Sequence, residues 1–447
     1  MWHSHRCYVR STRKAFLLEP AQSSQRLALR RLQHSMAKLL RSQQKTAARA
    51  AFLRKDFQQP AKFTFLSVLW PGRVTGMDRA SMSFFRKVFV MLLLFRSCAT
   101  LVALVLTALL PLSAIAAEQP KVVRIIGIAG VQNGKLSYTG TPAVVQRQGW
   151  LAEQLGKRNI RLEWVPVSTA SVAAQTNEAL AKKSGDFAAY GDLPSIIANA
   201  SGIATRLIVP GGSQTNVYLL VPWNSTARSI HDLKGKRIAL HRGRPWEYGF
   251  GKLLDKNGLT SRDFRILNLN PQAGAAAIST GSADGFFTTS SAYQLQDKKV
   301  ARIIWSSKGE SADWKMHAEL WGATDFVRRY PEITQLVATA FVRAAYWSAQ
   351  PENLSTYIEY AGRIGSTAND TRREIEGNKI SWKDRWSPLF DAELRKHYVG
   401  VNDYAAKARL IAKPVNVDAL FAPQFVNRAL ADLKLQDYWT PSGDDGK

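Results

Sequence analysis

From Lys121 onward, short apolar runs alternate with amphipathic stretches of helical period, the pattern of sheets covered by helices. VVRIIGIA (122–129), RLEWVPV (161–167) and DFAAYG (186–191) read as strands. The spacing predicts helices over 142–157, over 171–183 and in DLPSIIANA, with a polar loop after the first strand. A long strand, TNVYLLVP (215–222), is followed by a fresh alternation. It runs through DLKGKRIALHRG, a helix, FRILNLN, a short helix over 271–280, ADGFFTT and VARIIWSS, ending near Ser307. Residues 318–330 include an extended segment that returns the chain. In PEITQLVATAFVRAAYWSAQ, Pro331 suits a first helical turn, and Ile333, Leu336, Val337, Ala340, Phe341, Ala344 and Ala345 form one apolar face. The tail to about Leu433 reads as helical, the tryptophan-rich SWKDRWSP (381–388) as packing, and 440–447 as frayed.

One α/β lobe is therefore interrupted by another, each a mixed sheet flanked by helices. Residues 118–219 form the first part of lobe 1 and 220–322 form lobe 2. Residues 323–447 form the second part of lobe 1 with the C-terminal helices. Two joining strands leave a cleft that hinge motion can close.

Charge changes the picture less than its total suggests. The formal net charge of the 447 residues is +27, but residues 1–117 carry +16 of it, leaving +11 for the rest. That front quarter reads as packaging. Arg86, Lys87 and Arg96 precede an apolar run over 99–112 and the small-residue pattern Ala114-Ile115-Ala116, so 77–117 is expected to be a signal peptide for export to the periplasm. Cleavage is expected after Ala116 or Ala117, with retention as an anchor the rival. Residues 1–76, with 15 basic and 2 acidic side chains, are expected to be a basic extension, spurious or disordered, upstream of a true start at Met77, Met82 or Met91. A transit peptide or a nucleic-acid arm are the competing readings. Cys7 and Cys98 both precede residue 118, so no disulfide, Cys-ligated metal or cysteine nucleophile is expected in the mature part. There the basic residues are interspersed with acids and no groove-reading motif appears, so nucleic acid is not an expected partner.

The sequence carries no G-x-S-x-G elbow, no Walker A loop and no G-x-G-x-x-G, and its histidines lack metal-ligand spacing. Neither catalysis, nor a metal, nor a cofactor is expected. What remains is a set of strand-to-helix junctions, which face the crevice in open α/β sheets. In GDLPS, Asp192 can cap a helix and Pro194 fits its first turn. In HRGRPWE, Gly243 can take a positive φ, Arg244 is pushed to extended backbone by Pro245, and the helix start offers N–H groups to an anion. Arg242 or Arg244 would add bidentate donors and Trp246 an apolar wall, although either arginine could instead pair with Glu247 or Asp255. FFTTSS offers Thr288, Thr289 and Ser290. The first junction offers Gln132, Asn133, Thr139 and Thr141. His241, after a strand, reads as a structural histidine in reach of a ligand.

These stretches resemble the periplasmic solute-binding proteins of ABC importers for nitrate, sulfonate and taurine, over about 121–430. GDLPSIIANASG is similar to that family's G-D-x-P junction. SIHDLKGKRIALHRG, KLLDKNGLTSRDF, AAAISTGSADGFFT and ATDFVRRYPEITQLVATAFVRAAYWSAQPEN resemble its later motifs in order. The resemblance implies a two-lobe type II binding protein, not an enzyme, working as a monomer. It implies ligand contacts at the first loop, at Gly191 and Asp192, around Gly243 and near Thr288. It also implies an inner-membrane permease and, through it, a cytoplasmic ATPase as partners. RPWE stands where many relatives carry small hydroxyl residues and a histidine, so a small organic anion, an alkyl or aryl sulfonate, is the expected solute. Nitrate, taurine or a carboxylate, a ligand sensor without transport, and an enzyme related to thiamine pyrimidine synthase are the alternatives.

Overall fold

A computed structural model describes residues 119–442 apart from 133 and 361–366; the basic extension, the leader, Asn133 and the C-terminal residues 443–447 lie outside the described residues, as does the side chain of Gln132. The chain opens with β1 (Val122–Gln132), which runs past its apolar stretch because it turns back into β2 (Lys135–Tyr138), Val131 facing Leu136 across the hairpin. A polar loop was the expectation for this segment, and backbone pairing makes a hairpin of it. The single helix expected next is two, α1 (Gly140–Gln148) and α2 (Trp150–Gly156), broken at Gly149 with φ +69°. There follow β3 (Arg161–Val167), α3 (Val172–Ala181), β4 (Phe187–Gly191), α4 (Asp192–Ala200), β5 (Thr205–Val209) and β6 (Ser213–Thr215).

The long strand expected over 215–222 is divided between sheets: β6 stays in the first, and β7 (Tyr218–Pro222) enters the second with β8 (Arg237–Leu240). After α5 (Pro245–Lys256) come β9 (Arg265–Asn268), α6 (Pro271–Ser279), β10 (Gly285–Thr288), α7 (Ala292–Asp297) and β11 (Ala301–Ser306). The chain returns as β12 (Met316–Ala323) and ends in α8 (Thr324–Arg329), α9 (Pro331–Ala349), α10 (Leu354–Tyr360), α11 (Ala368–Ile375), α12 (Ala392–Lys407) and α13 (Pro423–Leu433).

The first sheet has the order β2-β1-β4-β12-β5, with β3 parallel to β1 and β6 beside β12; the second has the order β11-β7-β10-β8-β9. Each sheet is apolar on both faces, so consecutive residues enter different cores. Ile125, Phe187, Ile208 and Leu320 face Val144, Leu151, Val337, Phe341 and Val426. Ile126, Ala188, Leu207 and Trp321 face Val172, Leu180, Ile196 and Val401. In the second lobe Leu219, Ile238 and Phe287 meet Phe250 and Leu253, while Leu220, Ala239 and Phe286 meet Ile278 and Tyr293. The strand period of two makes this division automatic.

The sheets place the crossings earlier than the pattern alone suggests. Thr215 pairs with Met316 and Ser213 with His317, so outgoing and returning segments lie together in the first sheet, and β12 belongs to lobe 1. Between the crossings, Asn216 is held from α11. The Glu374 carboxylate accepts its backbone N–H at 2.6 Å, its side-chain amide at 3.0 Å and the Tyr218 hydroxyl at 2.5 Å.

The SWKDRWSP segment packs. Trp386 is 1% exposed and lies with ring centroids 4.9 Å from Tyr357 and 5.5 Å from Trp382. Trp386→Ala is expected to lower the unfolding free energy by about 3–5 kcal/mol, the range for emptying a large aromatic site, as read by chemical denaturation.

Candidate functional site

Two junctions meet at the seam between the lobes. A Cβ built on Gly191, the last residue of β4, would lie 2.3 Å from Cγ of Pro245, the first residue of α5. Only glycine permits that approach. Gly243, with φ +69°, turns the chain into α5 and faces Ile197 of α4, its would-be Cβ 3.7 Å from the Ile197 Cδ1. The GDLP turn of lobe 1 thus rests on the RGRPW turn of lobe 2.

Within the RGRPW turn the charges divide their work. Glu247 is 1% exposed, and its carboxylate accepts the Gly243 N–H, the Arg242 Nε–H at 3.1 Å and the Tyr404 hydroxyl from α12 at 3.3 Å. Arg242 is thereby neutralised and stays partly in solvent. Arg244 lies deeper. It is buried, its extended backbone caps α5 ahead of Pro245, and its guanidinium stands 5.3 Å over the Trp246 ring. Its charge is felt in both lobes. Burial, helped by the Arg244 charge, pushes the His241 imidazole down toward its neutral form. Burial raises the Tyr190 phenol on β4 against the pull of the same guanidinium, and the hydroxyl donates a 2.7 Å hydrogen bond to Asn177. The His241 ring lies 6.0 Å from Trp246, and its buried Nδ1 has no hydrogen-bond partner among the described residues.

Asp192 is wholly buried. Its Oδ1 accepts the Leu193 N–H at 2.6 Å; its Oδ2 accepts the His317 N–H at 3.3 Å and lies 2.9 Å from His397 Nε2. Its lone pairs are thus engaged inside the protein, where they fix the start of α4. Thr288 is buried at the end of β10 with its hydroxyl 3.1 Å from that of Ser291, and the Thr289 carbonyl accepts the Ala292 N–H at 2.9 Å to start α7. Thr141 stands partly exposed in the first turn of α1, and Gln132 closes β1 opposite Lys135.

The structure brings Gly191, next to Asp192, against Pro245 of the Arg242–Trp246 turn; Thr141 lies in the first turn of α1, and Thr288 and Thr289 lie where β10 ends and α7 begins. Tyr190, Asn177, His397 and Tyr404 escaped the sequence reading. Each is an isolated polar residue inside an apolar run or helix, and its partner is distant along the chain. The arrangement is that of a buried cation beside an indole where the two lobes meet.

Residues 157–353 match the family model described as NMT1/THI5 like. The chain is 24% identical over 293 residues to a Bacillus subtilis (strain 168) protein named for binding aliphatic sulfonates, covering 65% of this chain and 84% of that one. It is 25% identical over 244 residues to the taurine-binding periplasmic protein of Escherichia coli (strain K12), covering 48% and 76%. Among solved structures, the periplasmic sulfonate-binding protein SsuA from Methylobacillus flagellatus KT is similar at 45% identity and TM-score 0.68, over 74% of this chain and 100% of that one. The desulfurization enzyme DSZB shares the fold at 15% identity and TM-score 0.53, over 70% and 99%.

The close approach at Gly191 gives a test. Gly191→Ala forces Pro245 away and is expected to cost about 1–3 kcal/mol by overpacking. Gly156→Ala, where a Cβ meets nothing within 4 Å, should be neutral or slightly stabilising. Urea unfolding of the two variants side by side measures the difference.

Proposed function

The chain belongs to the nitrate-, sulfonate- and taurine-binding group of periplasmic solute-binding proteins, and on that footing we propose that it is the substrate-binding component of an ABC importer. It captures a small organic anion, an alkyl or aryl sulfonate, in the interlobe cleft, and hands it to an inner-membrane permease driven by a cytoplasmic ATPase. The working location is the periplasm.

The observation that carries this reading is the division of labour in the RGRPW turn. Glu247 takes up Arg242 and the Gly243 amide, while Arg244 is buried at the seam against Trp246. A sulfonate is ionised at every physiological pH and presents three acceptor oxygens. A guanidinium offers paired donors to two of them, and the indole face shelters the attached carbon chain or ring. Closure dries the site, and in that low-dielectric seam the ion pair gains strength. The fold alone does not decide between binding and catalysis, since DSZB has it too. Binding is favoured by the likeness to a sulfonate-binding protein over that protein's whole length, and by residues 118–447 containing no cysteine to act as nucleophile.

A thermal-shift panel on the full chain tests the reading, with hexanesulfonate, benzenesulfonate, taurine, nitrate and acetate, because a solute that binds only the folded state raises the melting temperature. Hexanesulfonate and benzenesulfonate should give the largest shifts. A shift with nitrate, taurine or acetate alone would reassign the solute, and none with any would remove the reading. Arg244→Ala should weaken sulfonate binding by roughly 2–5 kcal/mol in calorimetric titration, as truncating a buried charge pair does.

A further inference from the structure

Behind the seam lies a buried charged cluster that shares Asp192 with the junction described above. His397 of α12 is 0% exposed, and both its ring nitrogens reach carboxylates: Nε2 lies 2.9 Å from Oδ2 of Asp192, and Nδ1 lies 3.2 Å from Oδ1 of Asp313. The two carboxylates belong to opposite lobes. Asp192 opens α4 in lobe 1. Asp313 sits beside Trp314, which packs 5.8 Å from Trp305 against the lobe 2 core, and Lys252 of α5 donates to its other oxygen.

A neutral imidazole donates through one nitrogen only, so the second carboxylate would face a lone pair; two carboxylates are both satisfied only by imidazolium. Charge balance agrees, since His397 and Lys252 offset Asp192 and Asp313 within one buried set. The other groups around the ring fit the same state. His317 stacks on it at 3.9 Å and turns its own Nδ1 to Glu319 Oε1 at 3.3 Å. Burial raises the Glu319 carboxyl and, on α12 itself, that of Glu393, which favours their neutral forms. The Tyr248 edge lies 5.4 Å from the ring with its hydroxyl 3.4 Å from Asp313, the Tyr398 edge lies at 5.7 Å, and burial raises both phenols. Burial alone would lower the His397 pKa. The hydrogen bonds and charges of Asp192 and Asp313 outweigh it and lift the group from 6.5 to about 9. Burial likewise would raise Asp313, but His397 and Lys252 hold it below its ordinary range.

We propose that His397 is a positioning residue for the solute site. As imidazolium it ties Asp192, at the start of α4, to Asp313, fastened by Lys252 to α5, and so sets the separation of the two helix starts between which the anion is held. The inference rests on the interlobe-binding reading above, and goes beyond it in assigning the register of the site to a residue that never touches the solute.

The sign of the pH effect follows from the raised pKa. The contribution of His397 to stability is full below 6.5, where the unfolded chain is also protonated, and is lost as pH rises through about 9. The test compares the full-length wild type, His397→Gln and Asp313→Asn, by ligand-free urea unfolding and by calorimetric titration with hexanesulfonate, from about pH 6 to about pH 10. Wild type should lose both stability and affinity across that window. His397→Gln should bind about 10-fold or more weakly at neutral pH and lose the pH dependence of both measurements. A side chain that serves packing alone would lower stability without changing affinity or either profile. Wild-type affinity and profile in His397→Gln would overturn the proposal, as would a wild type whose ligand-free stability is flat across the window. Should His397→Gln fail to fold, Asp313→Asn, which keeps the Asp192 pair, must still weaken binding. If the wild type binds no hexanesulfonate at any pH, the solute reading falls, and the ligand-free profile still decides the tie.

Discussion

The two crossings between lobes run side by side because β6 pairs with the first residues of β12, Thr215 opposite Met316. Everything at the seam depends on that pairing. It sets the outgoing and returning segments next to each other, and in this arrangement Gly191 of one lobe meets Pro245 of the other. Asn216, in the middle of the outgoing crossing, is gripped by Glu374 of α11 and by Lys315 on the returning side, with Lys315 Nζ 2.8 Å from its Oδ1.

Given that pairing, the seam has a polar architecture of two depths. At the surface of contact, the RGRPW turn satisfies itself through Glu247 and leaves its buried guanidinium beside an indole. Further in, the Asp192–His397–Asp313 bridge carries charge from one lobe to the other with its partners in balance. A buried ion pair adds little to stability once its desolvation is counted, but it is severe on any geometry that separates its members. On the proposal above, its place here is to set the separation of the helix starts of α4 and α5.

The doubly covered sheets were legible in the sequence, because pairs such as Ile125 and Ile126, or Leu320 and Trp321, give strands an apolar residue on each face. KLSY was not, since β2 owes its strand to backbone pairing with β1 and not to pattern. Nor was the division of 215–222, where Thr215 stays in the first sheet, the apolar residues enter the second, and Asn216 between them is held from α11, far along the chain. At the site, glycine, arginine and proline at 243–245 announced a turn by local backbone rules, but not which arginine would be buried. His397 announced nothing, because its carboxylates lie 205 and 84 positions away.

The place of β12 has a consequence for how the molecule comes into being. It sits between β4 and β5, in the middle of the first sheet, yet is made after all of the second lobe. In chain order the first sheet therefore keeps an open slot at its centre until β12, while residues 218–306 already hold every strand of their own sheet. The inserted lobe draws its whole sheet from one continuous stretch, and the enclosing lobe, which begins first, is completed last.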